Sequence, residues 1–227
     1  MTDLVMPMNP FCTRRVQPGA IEYLDDALPP SDQFFRHRFQ VIVGPHGCGK
    51  TTLLHHLVQS IDQDQRPDCF RVQSGGGFDA ELFSSGLFDS GLFDAGLFDA
   101  IKIVRRGRAE RIIVDGYDSL GWAGRLVLMV WIVATGRRFL GTSHRRLWGH
   151  GVVWKCRYDA AAARQLVDRL LQRSDASTRR LVNQHLAGEI ESVGSQHYRD
   201  LLFNLYDIVQ RHHAEPADAP ERATCRD

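Results

Sequence analysis

Lysine is scarce in this chain. Of 28 basic residues only three are lysine, at 50, 102 and 155, and the rest are arginine. No charge of one sign prevails either: 28 basic residues stand against 27 acidic ones, a formal net charge of +1 over 227 residues. That balance leaves no overall electrostatic footprint for nucleic acid or an anionic membrane, although a local patch stays possible. Long apolar runs are absent: the longest, Leu126 to Ala134, falls far short of the roughly 20 residues a membrane-spanning helix requires. The five cysteines, Cys12, Cys48, Cys69, Cys156 and Cys225, are odd in number and lack metal-ligand spacing. This argues against a disulfide framework and suits a reducing compartment. No basic segment followed by an apolar core opens the sequence, so no export signal is expected. The expectation is a soluble cytoplasmic protein, with 43% apolar residues enough for one α/β domain and a small appendage.

One of the rare lysines closes the most informative stretch present. Gly44-Pro45-His46-Gly47-Cys48-Gly49-Lys50-Thr51 is a complete G-x-x-x-x-G-K-[ST] loop, with Thr52 behind it. Its glycines let consecutive backbone N–H groups face inward as an anion nest, and the helix that follows aims its positive end at the same point. Lys50 suits the terminal phosphates because its ammonium is a compact charge, where arginine would bring a planar fork. Thr51 is placed to give its hydroxyl to magnesium. The context agrees: Phe39 to Val43 is a short β-rich run before the loop, and Thr52 to Val58 resumes with apolar residues at helical spacing. Residues 44 to 52 are therefore expected to hold a nucleoside triphosphate, not to form an idle Gly-rich turn.

A magnesium site of this kind needs a carboxylate. Arg111-Ile112-Ile113-Val114-Asp115 is an apolar run ending in one, and a strand buried on both faces delivers its last residue to the carboxyl edge of a parallel sheet. Asp115 is thus the expected second metal residue, the Walker B acid. Many ATPases place a glutamate next to orient the attacking water, but Gly116 stands there. Asp118 is the next carboxylate, either polarising water or capping a helix before Leu120. Arg138 to Ser143 reads as a fourth strand whose end would lie between the two Walker elements. Thr142, Ser143 and His144 share the candidacy for sensing a γ-phosphate there, with an ordinary loop histidine as the alternative for His144. Cys69 to Gln73 and Gly151 to Lys155 read as the second and fifth strands, and Gly121 to Thr135 as a buried helix.

The expected fold is α/β: a P-loop NTPase core over 36–157, with a five-stranded, mostly parallel sheet and helices on both faces. Residues 1–35 read as an N-terminal strap containing Asn9-Pro10-Phe11; Phe11 or Tyr23 stacks on a nucleotide base, or the strap packs on the sheet. From 76 to 100 five pentapeptides follow one another, GGFDA, ELFSS, GLFDS, GLFDA and GLFDA. Five residues advance a helix by about 500°, so their phenylalanines share no helical face, and an odd period shares none on a strand. The tract reads as an insertion in a surface connection, helical in part, or as an adhesive segment for a protein partner. Residues 158–213 read as a three-helix lid, with Asp159 capping its first helix, Ser177 starting its second and the third running from about Ser195. Residues 214–227 read as a disordered tail.

Taken together, the Walker A loop at Gly44 to Thr51, the strand ending at Asp115, the polar strand end at Thr142 and Ser143, and the helical tail resemble the AAA+ branch of P-loop ATPases. The nearest resemblance is to small stand-alone bacterial ATPases that open with an Asn-Pro-Phe box, distantly related to ExeA-like secretion ATPases, and it covers most of residues 9 to 212. It implies a magnesium-dependent ATPase whose nucleotide state moves the lid and acts on a protein partner. It also implies a sensor arginine in a Gly-x-x-x-x-Arg pattern, which Gly194 to Arg199 matches, so Arg199 takes that role. The sequence departs from the family in two places. Gly116 in place of the acid argues against fast hydrolysis, and the connection between the fourth and fifth strands is too short for a helix carrying an arginine finger, so a hexameric ring is not implied. Two other functions remain open: a nucleotide-binding switch with negligible turnover, and a P-loop kinase, which Asp115-Gly116-Tyr117 superficially matches.

Overall fold

The computed structural model describes residues 9–12, 23, 28–72, 78–79, 95–192 and 197–214. The chain divides into two units: one spans Pro18–Tyr158, and the other joins Met1–Gln17 to Asp159–Asp227.

Apolar runs too short for helices and bounded by polar turns become the strands of the larger unit. They are β1 (Phe39–Val43), β2 (Asp68–Val72), β3 (Phe78–Asp79), β4 (Arg111–Asp115), β5 (Arg138–Ser143) and β6 (Gly151–Lys155), in the spatial order β3-β2-β4-β5-β1-β6. Five of them run parallel, and β3 adds an antiparallel edge to β2. Four strands keep the bounds read from the sequence. β2 starts and ends one residue earlier than Cys69 to Gln73, and β3 arises within the pentapeptide tract, where no strand was expected.

Alternation along each strand feeds two cores, one on either face of the sheet. Ile42, Ile113 and Leu140 join Leu53, Leu54, Leu57 and Val58 of α1 (Lys50–Gln59) on one side. Their neighbours Val41, Ile112, Val114 and Phe139 point to the other side. There they meet Ile103 of α2 (Ala95–Arg106) and Leu128 and Ile132 of α3 (Trp122–Thr135). Because both of its faces are covered, β4 reads as a continuous apolar run, Ile112 to Val114, ahead of Asp115. α2 takes in the last pentapeptide, Gly96–Ala100, burying Ala100 and leaving Phe98 exposed. The pentapeptides over 80–94 lie outside the described residues.

The smaller unit holds α4 (Ala160–Leu171), α5 (Ala176–Ser192) and α6 (Tyr198–Ala214). As expected, Asp159 caps α4, its carboxylate accepting from the Ala161 amide at 2.9 Å. Ser177 does not start α5. Asp175 does, accepting from the Thr178 amide at 2.8 Å and the Thr178 hydroxyl at 2.7 Å, while Ser177 itself donates to that carboxylate. A carboxylate can take several donors at once at the positive end of a helix, which a single hydroxyl cannot match. α6 starts at Tyr198, later than Ser195, and Gly194 to Gln196 lie outside the described residues, as does the tail beyond Ala214.

Asn9–Cys12 belongs to this helical unit. The Asn9 side chain accepts from the Phe11 amide and donates to the Tyr206 carbonyl on α6, both at 3.0 Å, so the Asn-Pro-Phe turn is pinned to a helix.

Candidate nucleotide-binding site

The loop Gly44–Gly49 connects β1 to α1, which begins at Lys50 without a side-chain cap. An uncapped first turn leaves backbone N–H groups for an anion. Lys50 is buried, and its Nζ donates to the carbonyls of Gly44 and Pro45, each at 2.7 Å. The ammonium thus lies folded over the loop that it belongs to. Pro45 and His46 are exposed, Gly47 and Gly49 turn the loop with positive φ, and Thr52 is half-buried on α1. Tyr23 packs beside Gly49, with ring carbon Cε2 3.6 Å from where a Cβ on that glycine would stand.

β5 lies between β1 and β4, so the ends of all three strands come together. Asp115 is the hub, at 7% exposure. One carboxylate oxygen accepts from the Thr51 hydroxyl at 2.9 Å; the other accepts from the Thr142 hydroxyl at 2.7 Å. Thr142 in turn accepts from the Gly116 amide at 2.7 Å. Thr51 and Asp115, far apart in sequence, are therefore in direct contact, and Thr142 is spoken for by Asp115. Arg71, which sequence reasoning passed over, completes the cluster, its Nε 3.3 Å from Asp115 Oδ2. The available signal was an arginine near the carboxyl end of a short strand, between Phe70 and Val72. Nearby on α1, burial and then the charge of Arg71 lower the pKa of His55, with Asp115 opposing.

Gly116 shows why no acid follows Asp115. Its φ is 80°, and a Cβ there would come 2.3 Å from the Val72 carbonyl oxygen of β2. Left-handed backbone and a backbone atom in the way exclude every side chain at this position. Asp118 is not a helix N-cap. It sits inside the 3-10 turn Tyr117–Ser119 and accepts from the His144 amide at 2.8 Å, with the His144 Nδ1 at 2.6 Å. Burial pushes its carboxyl up, but the His144 contacts outweigh this and hold it below its ordinary value. The His144 ring stacks on His46 of the loop, centroids 3.5 Å apart. Ser143 is buried, and its hydroxyl is spent in a turn, donating to the Arg145 carbonyl at 2.7 Å.

The two remaining expected site residues lie in the helical unit. Arg199 is exposed in the first turn of α6. Phe11 is only 2% exposed and offers no open ring face for stacking on a base.

The fold is that of a P-loop NTPase. Five parallel strands carry helices on both faces, with the glycine-rich loop at 44–49 between the first strand and its helix. No family model matches the sequence, and no curated protein matches it. Among solved structures, that of C. elegans PCH-2 is similar, with 12% identity and a TM-score of 0.37, covering 80% of this chain and 66% of that one. This chain thus spans just under two thirds of that chain's length. A likeness this loose says nothing about chemistry. No helix among the described residues is long and apolar enough to cross a membrane.

Proposed function

We propose that this protein binds ATP with magnesium and hydrolyses it slowly, as an AAA+-type ATPase that uses nucleotide state to move its helical unit and act on a protein partner. The observation that carries this reading is the contact of Thr51 with Asp115 at 2.9 Å, directly below the phosphate loop. A neutral hydroxyl and one carboxylate are hard oxygen donors suited to magnesium, which draws its other ligands from phosphate and water. Among the described residues no group of three or more His, Cys, Asp or Glu side chains is placed to hold a metal ion, so these two donors are the candidates.

When bound, magnesium neutralises charge on the β- and γ-phosphates. The chain's own residues do the rest. The backbone amides of the loop and the start of α1 cradle the phosphates, and Lys50 exchanges its two carbonyl partners for phosphate oxygens. Thr142 holds Asp115 in orientation through its second oxygen. With Nδ1–H donated to Asp118, His144 presents Nε2 as an acceptor for a proton from water, which makes Asp118 the positioning group and His144 the base. Arg199 is the residue proposed to sense the γ-phosphate.

A second reading, a nucleotide-binding switch with negligible turnover, is favoured by Gly116, where no acid fits. A phosphate-release assay with ATP and magnesium, run with and without nucleoside acceptors, separates the readings. Slow release without an acceptor, lost in Lys50→Ala, is expected. Binding without release would leave the switch, and calorimetry showing no ATP binding would overturn both.

A further inference from the structure

Two cysteines meet under the phosphate loop. Cys48 belongs to the loop itself, and Cys156 follows β6; each is 1% exposed and each is a free thiol. Their side chains are hydrogen-bonded to each other. The backbone fixes the encounter. The Cys156 amide donates to the Val43 carbonyl at 2.8 Å, which sets Cys156 beside the residue that opens the loop. That residue is Gly44, and a Cβ on it would lie 2.6 Å from Cys48 Sγ and 2.9 Å from Cys156 Cβ. The sulfur of one cysteine and the Cβ of the other thus flank a single point that only glycine leaves empty. A disulfide needs its two Cβ atoms about 3.8 Å apart, a span within reach of two side chains that flank one Cβ-sized gap.

We propose that Cys48 and Cys156 are an oxidative modification site, a thiol pair that a peroxide converts to a disulfide, locking the phosphate loop to the end of β6. The loop's role in nucleotide binding rests on the function proposed above, whereas the pairing of the two sulfurs does not.

The two thiols are unequal. The hydrogen bond from Cys156 and the ammonium of Lys50 outweigh burial and bring the Cys48 thiol down to about 7, so a good share is thiolate near neutral pH. Cys156 is pushed up by its hydrogen bond to Cys48 and by burial, so it keeps its proton, with the Tyr23 hydroxyl 3.7 Å away. Of the other cysteines, burial pushes Cys69 up to about 12, which leaves it unreactive. The Cys48 thiolate attacks one oxygen of hydrogen peroxide, the O–O bond breaks, and the leaving hydroxide takes a proton to become water. Cys48 is then a sulfenic acid. The Cys156 sulfur attacks it, forming the S–S bond and expelling hydroxide, which takes the Cys156 proton and leaves as a second water. Each sulfur gives up one electron, and the peroxide oxygens take both.

Burial makes entry of the oxidant the slow event, waiting on an opening of the exposed Pro45-His46 segment above. A nucleotide that holds the loop closed therefore slows the reaction. In the disulfide, the Cys48 segment can no longer adjust to phosphates, and affinity falls.

The test uses the full chain, treated with hydrogen peroxide with and without ATP and magnesium. Peptide mapping then locates the disulfide, and ATP binding is measured before oxidation, after it, and after dithiothreitol. We expect a Cys48–Cys156 cross-linked peptide, formed more slowly with ATP. Affinity should drop about tenfold or more and return on reduction, as befits the loss of charge-assisted contacts. Cys156→Ala should bind ATP and keep binding it after peroxide. A map in which both thiols stay free, or Cys48 pairs elsewhere, would overturn the proposal, and this mapping needs only the wild-type chain should the variant fail to fold. A cross-link that leaves affinity unchanged would overturn the lock. A cross-link in a protein that binds no ATP when reduced would leave the pair standing and remove the proposed function instead.

Discussion

Arg71 and Asp115 stand opposite each other in register on the adjacent parallel strands β2 and β4, joined at 3.3 Å through Nε and Oδ2. The carboxylate expected to serve magnesium thus already has a resident cation, and the two positive charges compete for one oxygen pair. Arg71→Gln should lower the magnesium concentration needed for nucleotide binding. It should also destabilise the fold by about 1–2 kcal/mol, less than a fully buried pair because the guanidinium is partly exposed. Magnesium titrations and thermal melts check both. An unchanged titration would show that Arg71 does not compete.

Restoring the missing acid should fail. Gly116→Glu must force a left-handed residue against the Val72 carbonyl, at a cost of at least about 1–2 kcal/mol for the backbone alone. The variant should melt lower than wild type and release phosphate no faster. A faster enzyme with an unchanged melt would mean that the strand end yields easily.

These two cases mark what the sequence makes legible. β1, β4, β5 and β6 were readable to the residue, because each carries adjacent apolar residues between polar or turn positions. The turn at 44–49 between β1 and α1 was readable because its two positive-φ positions, Gly47 and Gly49, favour glycine. Arg71 was not, since its meaning depends on register with a strand far along the chain, and Cys156 escaped for the same reason. α2 was hidden by the five-residue period of the tract leading into it. Asp175 and Ser177 both look like caps, and only the number of donors within reach decides between them.

His144→Gln should slow phosphate release by about tenfold to a hundredfold if the ring is the base, while leaving ATP affinity near wild type. Asp118→Asn should have a smaller effect, because it disturbs the orientation of the ring and not its nitrogen. Single-turnover rates for both variants check the order, and equal effects from both would argue against a positioning role for Asp118.

Arg199→Ala should lower turnover and narrow the preference for ATP over ADP by about 1–3 kcal/mol, the worth of a charge-assisted contact with the γ-phosphate. Calorimetry with both nucleotides measures it. Wild-type affinities and turnover would make Arg199 plain helix surface.

Asp175→Ala should cost about 1 kcal/mol at neutral pH, the usual worth of an N-cap. The Ser177 hydroxyl, then the Thr178 amide and hydroxyl, hold this carboxyl well below its ordinary range. Its folded value therefore lies below its unfolded value. The contribution is complete above the unfolded value of about 3.9 and fades as pH falls from there toward the depressed one. Urea denaturation of wild type and variant should show a gap at neutral pH that narrows in acid; a constant gap would mean that the side chain acts by packing.

The hydrogen bond from Asn9 to the Tyr206 carbonyl spans 197 residues and makes the sheet unit an insertion between two pieces of the helical one. At a synthesis rate of about 5–20 residues per second, Asn9 is made roughly 10–40 seconds before Tyr206. The sheet, complete once Tyr158 has emerged, can fold in that interval, but the Asn-Pro-Phe turn has no helix to hold until translation is nearly over. The helical unit therefore closes last, whatever its intrinsic speed, and during every round of synthesis Asn9 waits without its helix, which makes that interval the one in which a chaperone has most to offer this protein.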